Sequence, residues 1–313
     1  MKFSVTIPAF KAAYLEEAIN SILKQTYQDY EIIIVDDCSP EDLKSVVNKF
    51  SDSRIHYYRN EKNCGAENVV DNWNICLSYC TGDYVICMGD DDRLMPNCLE
   101  EYALLIDKYP NAQVYHAKTI IIDEHGRGYK LQESRPEWES ALEMTYNQFA
   151  WKRIQFIGDF CFSRSWLNAN NGYEEFPFAF YSDWATANKA ALSGGIVNGQ
   201  KFMFEYREHN RTISRNGYAI SRTLLRASQL VRKWYDDFVA QIQYDETDSL
   251  YRECLGDILK DRFDKEIIIM IGRDIVYSSF SVKTLFYWLR HSREYKLNYV
   301  KILRIYLYHL RNS

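Results

Sequence analysis

No stretch of this chain stays apolar for the ~18–20 residues that a membrane-spanning helix needs. The N-terminus, Met-Lys-Phe-Ser-Val-Thr-Ile-Pro, lacks the long apolar run of a secretory leader, so a cytoplasmic protein is expected. The eight cysteines include no Cys-x-x-Cys pair, and Cys76 and Cys80 have no second pair to complete a zinc site. Free thiols in a reducing compartment follow as the expectation. No Gly-x-Gly-x-x-Gly follows the first strand, which argues against dinucleotide-linked redox chemistry. Ile7-Pro8-Ala9-Phe10 also lacks the glycine-rich basic loop that a sugar-phosphate nucleotidyltransferase would want. Repeats and low-complexity linkers are absent, and a net charge of −5 points to no nucleic-acid partner.

What is present is ordinary in bulk and uneven in detail. At 313 residues, 47% hydrophobic and 26% charged, the chain can bury one large core or two smaller ones. Aromatics reach 15%, which suits sugar faces, membrane interfaces or a Tyr-rich core without choosing among them. Residues 283–313 hold seven Lys or Arg against one acid, Glu294. That tail is therefore basic while the rest of the chain is strongly acidic, which suggests a separate role for it.

The first 120 or so residues alternate strand and helix signals. Phe3–Ile7 reads as a strand stopped by Pro8, and Leu15, Ile19, Ile22 and Leu23 share one helical face. Glu31–Val35 is a dense β-branched strand ending at Asp36-Asp37. Ser39 reads as a helix N-cap with Pro40 at the first turn. A strand at Arg54–Tyr58, a helix through Val69, Trp73 and Leu77, and a strand at Tyr84–Met88 follow. Pro96 opens a helix to Lys108, and Gln113–Ile122 is a longer strand. Such alternation predicts an α/β fold with a mostly parallel sheet flanked by helices, whose ligands bind beyond the carboxyl ends of the strands. Residues 123–180 are irregular and read as substrate-facing. Asp183–Leu192 is helical, a strand runs to Phe204, and from Tyr218 onward the pattern is helical. The expected division is a domain over 1–217, with halves at about 1–122 and 123–217, and a helical C-terminal region over 218–313.

Strand Tyr84–Met88 runs directly into Gly89 and three adjacent carboxylates, Asp90, Asp91 and Asp92. Like charges at a buried strand end repel, and burial penalises each ionised form. A divalent cation would relieve both, because Mg²⁺ and Mn²⁺ prefer carboxylate and water oxygens. A solvated acidic turn is the alternative. Asp36-Asp37 ends a neighbouring strand and should face the same crevice.

Four blocks then resemble the family 2 glycosyltransferases of GT-A fold, over about residues 1–215. They are Ser4-Val-Thr-Ile-Pro-Ala-Phe10; Gln25-Thr-Tyr27 with Glu31-Ile-Ile-Ile-Val-Asp-Asp-Cys-Ser-Pro40; Gly82-Asp-Tyr-Val-Ile86 with Gly89-Asp-Asp-Asp-Arg-Leu-Met-Pro96; and Tyr181-Ser-Asp183. The resemblance implies an inverting enzyme that moves a sugar from a nucleotide-sugar, UDP-sugar favoured, to an acceptor hydroxyl with Mn²⁺ or Mg²⁺. It implies Asp91 as metal ligand, Asp90 as ribose or metal partner, and Asp92 as the motif's last acid. Gly89 replaces an acid that many members carry, and Trp73 stands where many have Arg. Asp37 matches the acid that accepts from the uracil edge, a suitable partner for an imide N–H. Pro8 and Phe10 match the strand end that packs around the nucleotide, and Gly65 a glycine-containing loop near base and phosphates. Asp183 matches the general base, with Ser182 in place of the usual Glu. Arg207 and Arg211 match a loop over the donor, where they would hold diphosphate, and His209 would bind metal or phosphate. A catalytically silent nucleotide-sugar-binding module is the alternative, with a nucleotidyltransferase behind it.

The tail adds an aromatic-rich helical stripe of Tyr295, Tyr299, Ile302, Leu303, Tyr306 and Leu310, with Lys296, Arg304 and Arg311 on another side. A basic amphipathic helix suits an anionic membrane surface, which would serve a lipid-linked acceptor. Packing on the catalytic domain or a homodimer contact are the other uses of such a helix.

Overall fold

A computed structural model describes residues 1–209, 221–278, 281–293, 295 and 297–311. Its sheet begins with four strands, β1 (Phe3–Ala9), β2 (Tyr30–Asp36), β3 (Ile55–Arg59) and β4 (Tyr84–Cys87). They lie parallel in the order β3-β2-β1-β4, with Ile7 beside Ile34 and Thr6 beside Cys87. All seven residues of β2 are buried. Its β-branched run does not alternate with polar residues because both faces are covered: Ile32 and Ile34 join one hydrophobic core, Ile33 and Val35 the other.

Six further strands complete the sheet: β5 (Arg93–Leu94), β6 (Val114–Ile122), β7 (Gly128–Leu131), β8 (Trp138–Glu139), β9 (Phe160–Ser163) and β10 (Ile196–Arg207). The order continues β4-β9-β6-β10-β5, with β7 on β6 and β8 on β10. Strand β9 runs antiparallel to both β4 and β6, and β6 runs parallel to β10. The parallel character is thus confined to the first half and the β6–β10 pair. Residues 123–180 are less irregular than the sequence suggested, since they supply β9 at the centre of the sheet.

Helices α1 (Leu15–Leu23), α2 (Leu43–Val47) and α4 (Cys98–Lys108) cover one face, where Leu15, Ile19, Leu43, Leu99 and Tyr102 are buried against β1 and β2. Helices α3 (Val69–Tyr79), α5 (Ala141–Phe149), α7 (Ser182–Ala191), α8 (Ser221–Gln241) and α9 (Ser249–Tyr277) cover the other. Short α6 (Arg164–Ala169) follows β9, and α10 (Val282–Arg290) and α11 (Tyr299–Arg311) close the chain. Val231, Tyr235, Leu259 and Phe263 of α8 and α9 belong to the same core as Ile33 and Val35 of the sheet. The C-terminal helices α10 and α11 instead share a smaller core with α9, built on Ile271, Ile275, Trp288, Ile302 and Ile305.

Two local expectations shift. The helix after β2 starts at Leu43, capped by Asp42, whose side chain accepts from Ser45 N at 3.1 Å. Ser39 instead donates its hydroxyl to Phe10 O at 2.6 Å and accepts from Glu41 N at 3.0 Å. Strand β1 runs through Pro8 to Ala9. Thr6 O accepts from Met88 N, and Ala9 O from Asp37 N. Alternation along β1 therefore turns Pro8 toward β4, beyond β4's last residue, where the missing N–H leaves no ladder bond unmade.

Candidate active site

The carboxyl ends of β1, β2 and β4 open at one edge of the sheet, and hydrogen bonds sew their loops together. Asp37 N donates to Ala9 O at 2.9 Å. The Asp90 carboxylate accepts from Phe10 N and Lys11 N, both at 2.7 Å. Asp36, fully buried, accepts from Ser39 N and Tyr57 Oη at 2.7 and 2.6 Å, and from the Arg59 guanidinium. Asp36 is thus a structural anchor, while Asp37 turns to the next loop. Asp37 Oδ1 accepts from Asn60 Nδ2 at 2.8 Å and Cys64 N at 2.9 Å. That draws in Gly65, whose φ of +84° suits glycine and starts a 3-10 turn at Ala66–Asn68. The Phe10 ring is 40% exposed at the β1 end, so it is available to a ligand rather than part of the core. Trp73 is buried in α3, edge-on to Tyr173 at 5.7 Å, and is a core residue.

The acidic triplet divides by partner. Asp92 Oδ1 accepts from Arg207 N at 2.9 Å, and its other oxygen from Gly89 N at 3.3 Å. Asp90 gives one oxygen, Oδ2, to the two amides of the β1 loop. Burial, and after it the charge of Asp91, pushes the Asp90 carboxyl up to about 6 and Asp92 well above its ordinary range. Asp91 stays partly exposed, with Oδ2 2.8 Å from His209 Nε2. Gly89 explains itself by space: a Cβ there would lie 2.7 Å from Asp91 Oδ1 and 2.9 Å from Asp92 Oδ2. The acid usual at this position would collide with the two carboxylates that follow.

Strand pairing brings residues 90–93 and 205–209 together. Short β5 runs antiparallel to the end of β10, setting Arg93 beside Glu205 with an ion pair at 2.7 Å. Arg207 departs from its expected place over a diphosphate. Its side chain is fully buried, bonded to Asp91 O at 2.8 Å and to Glu17 Oε2 at 2.7 Å, and stacked over the Tyr14 ring at 4.2 Å. It braces the Asp91 peptide instead. Arg211 lies outside the described residues.

Among the described residues no group of three or more His, Cys, Asp or Glu is arranged to hold a metal. The donor pair that is present, Asp91 carboxylate and His209 imidazole, still fits Mn²⁺ or Mg²⁺. Such ions are commonly held by one or two carboxylates, with substrate phosphates and water filling the other positions.

Asp183 opens α7 after a strained approach. Phe178, Ala179 and Tyr181 all have positive φ, between 52° and 64°. Non-glycine residues there cost of order 1 kcal/mol or more each and persist only where surroundings enforce them. The enforcement comes from α9. Arg262 Nε and Nη2 donate to Tyr181 Oη at 3.0 and 2.7 Å, and Tyr181 O–H donates to Glu266. Arg262 and Glu266 pair with each other at 2.8 Å. Ser182, where a Glu is usual, is buried and accepts from Phe176 N at 3.1 Å, pinning the same loop. Burial raises the Asp183 carboxyl to about 7, helped by the charge of Asp159 and opposed by the Trp184 N–H. Asp159 is itself raised to about 7 by burial. Sequence reasoning had Tyr181 only as part of a motif, without a role, and missed Arg262 and Glu266. The Arg262/Glu266 spacing is one of several opposite-charge pairs on a long helix, so it carried no distinguishing signal.

A partly exposed carboxylate at the ends of parallel strands, and a second carboxyl at a helix start with its proton affinity near neutrality, fit the ligand-binding end of an α/β enzyme. The chain belongs to glycosyl transferase family 2, whose model matches residues 4–168. It is 32% identical over 180 residues to a GalNAc(5)-diNAcBac-PP-undecaprenol beta-1,3-glucosyltransferase of Campylobacter jejuni, covering 56% of each chain. The matched region spans about half the length of such curated relatives. S. aureus TarS in complex with UDP-GlcNAc shares the fold, with a TM-score of 0.69 at 17% identity over 100% of this chain and 93% of that one. A mannosyltransferase from Pyrobaculum calidifontis in complex with GDP-Man and Mn²⁺ gives a TM-score of 0.57 at 15% identity, covering 99% and 85%.

Proposed function

We propose that the protein is an inverting, metal-dependent glycosyltransferase that moves a sugar from a nucleoside-diphosphate sugar to an acceptor hydroxyl. The observation that carries this is the Asp91–His209 pair, presented by Asp90 and Asp92 carboxylates that are themselves locked to backbone amides. A UDP-sugar is the favoured donor, with Asp37, Phe10, Pro8, Gly65 and Asp90 around its nucleoside end. Asp91 and His209 would hold the divalent ion, which neutralises charge on the leaving diphosphate as a Lewis acid. Asp183 takes the proton of the acceptor hydroxyl as that oxygen attacks the anomeric carbon. The new C–O bond forms opposite the breaking C–O bond to the diphosphate, so configuration inverts. A carboxyl near 7 is matched to that task, being ionised enough to act and basic enough to accept.

The acceptor is a saccharide or lipid-linked saccharide in surface polysaccharide or glycolipid assembly. The first-named relative acts, by its name, on an undecaprenol-linked acceptor. Among the described residues no helix is long and apolar enough to cross a membrane. A silent nucleotide-sugar-binding module would have no use for the strained, arginine-braced approach to Asp183.

The test is release of nucleoside diphosphate from UDP-GlcNAc, UDP-glucose, UDP-galactose and GDP-mannose, with Mn²⁺ and with EDTA. Metal-dependent release from one of them is expected. Absence of release from all, together with no ligand-induced rise in melting temperature, would sink the proposal.

A further inference from the structure

Helix α11 has three faces. Ile302 and Ile305 are buried against α9 and Trp288 of α10. The docking is close: a Cβ on Gly272 of α9 would come 2.5 Å from the His309 ring. With 3.6 residues per turn, Val300, Leu303, Leu307 and Leu310 fall on a second stripe. Each of these four is between 41% and 49% exposed. Arg304 and Arg311 fall beside the exposed leucines, with Lys301 further round toward Ile305, and Arg304 also lines the groove between α11 and α9. Neither α10 nor α11 contains an acidic residue. On α10, Val282 and Phe286 are 60% and 67% exposed, beside Lys283 and Arg290.

The sequence pattern alone joins Ile302, Leu303 and Leu310 in one apolar stripe. The structure splits them, because the core uses 302 and 305 and leaves 303, 307 and 310 outside. An apolar stripe in water costs about 25 cal/mol per Å² of exposed surface, so leaving Val300, Leu303 and Leu307 out calls for an occupant. We propose that this face docks on an anionic lipid bilayer, with the aliphatic stripe at the acyl boundary and the basic stripe among the headgroups. Charge complementarity selects this occupant. A self-contact with α11 antiparallel to its copy would set basic stripe beside basic stripe. The proposal concerns where the protein sits and stands apart from its chemistry.

The test is flotation of the full chain with vesicles of phosphatidylcholine plus phosphatidylglycerol, against phosphatidylcholine alone, with no donor or acceptor present. The protein should float with the anionic vesicles and not the neutral ones. Leu303→Ser with Leu307→Ser should lower partition at least about tenfold. Arg304→Gln with Arg311→Gln should lower it roughly 25-fold, and added salt should do the same. All four side chains are outside the core, and unchanged melting temperatures would show both variants folded. Absence of flotation overturns the proposal, as does equal flotation of folded variants. So does light scattering that finds a dimer which the leucine variant dissociates, since the face would then be a self-contact. Lipid partition can fail while sugar transfer stands, and the reverse.

Discussion

Gly89 and Asp91 state the residue-scale logic of the site most directly. The three acids crowd one turn, and a side chain at 89 would force the carboxylates of 91 and 92 to shift. Gly89→Ala should therefore displace Asp91 and weaken metal-dependent donor binding, though every carboxylate remains; nucleotide titrations with and without Mn²⁺ check this. Asp91→Asn should abolish the metal-dependent part outright. Asp183→Asn should keep donor binding and lose transfer by about 10²–10⁴-fold, the range of a general base; turnover retained in that variant would remove Asp183 from the role. In the native enzyme transfer should rise with pH through about 7, where the Asp183 carboxyl ionises. Stability runs the other way. The folded carboxyl binds its proton more tightly than the unfolded one, so its contribution is present in acid and is lost as pH rises from about 4 through about 7. Asp183→Asn should accordingly melt higher than the native chain at pH above about 7 and alike in acid, by calorimetry at both. The acids were legible in the sequence as types. The family resemblance set Asp91 apart as the metal ligand, but the backbone amides that hold Asp90 and Asp92 were not legible, because they come from distant loops.

Among the elements, α7 and α9 form the pair that matters most to chemistry. Tyr181 caps α7 in a left-handed conformation, and its hydroxyl is gripped by Arg262 and Glu266 from a helix eighty residues further along the chain. Tyr181→Phe should leave that buried ion pair short of a partner, at a cost of about 1–3 kcal/mol in unfolding experiments. Transfer should fall with it by more than any loss of nucleotide binding, since neither Asp37 nor Asp90 is bonded to Tyr181, Arg262 or Glu266. Strands β1, β2 and β4 were readable because dense β-branched and apolar runs fit a sheet covered on both faces. Strand β9 was not, because Phe160–Ser163 reads Phe-Cys-Phe-Ser, with no β-branched residue to mark it as a strand. The cap at Asp42 escaped for a related reason: Ser39-Pro40 imitates a helix start, but Ser39 is drawn to the Phe10 carbonyl across the strand ends.

For the molecule as a whole, the expected boundary at 217 meets a core that continues past it. Val231, Tyr235, Leu259 and Phe263 pack in the same cluster as Ile33 and Val35, so we propose that α8 and α9 complete the catalytic unit. A chain ending at residue 217 should then fail to unfold cooperatively in urea and should expose apolar surface to dyes, whereas one ending after α9 should lose only the smaller core that α10 and α11 make with it. A cooperative 1–217 fragment with native-like spectra would restore the boundary.

The sequence by itself determined the α/β alternation, the acids at strand ends, the family motifs and the basic excess of the tail. Each is a local matter of residue type, spacing and charge, and each survives without knowing what lies across the fold. Tertiary structure decided the rest. It turned Arg207 inward to brace Asp91, brought His209 to that carboxylate through the β5–β10 pairing, and braced the approach to Asp183 from α9. It also chose which stripe of α11 is core and which faces out. Those outcomes rest on contacts between residues far apart in the chain, where burial and hydrogen-bond partners assign a role that residue type alone leaves open.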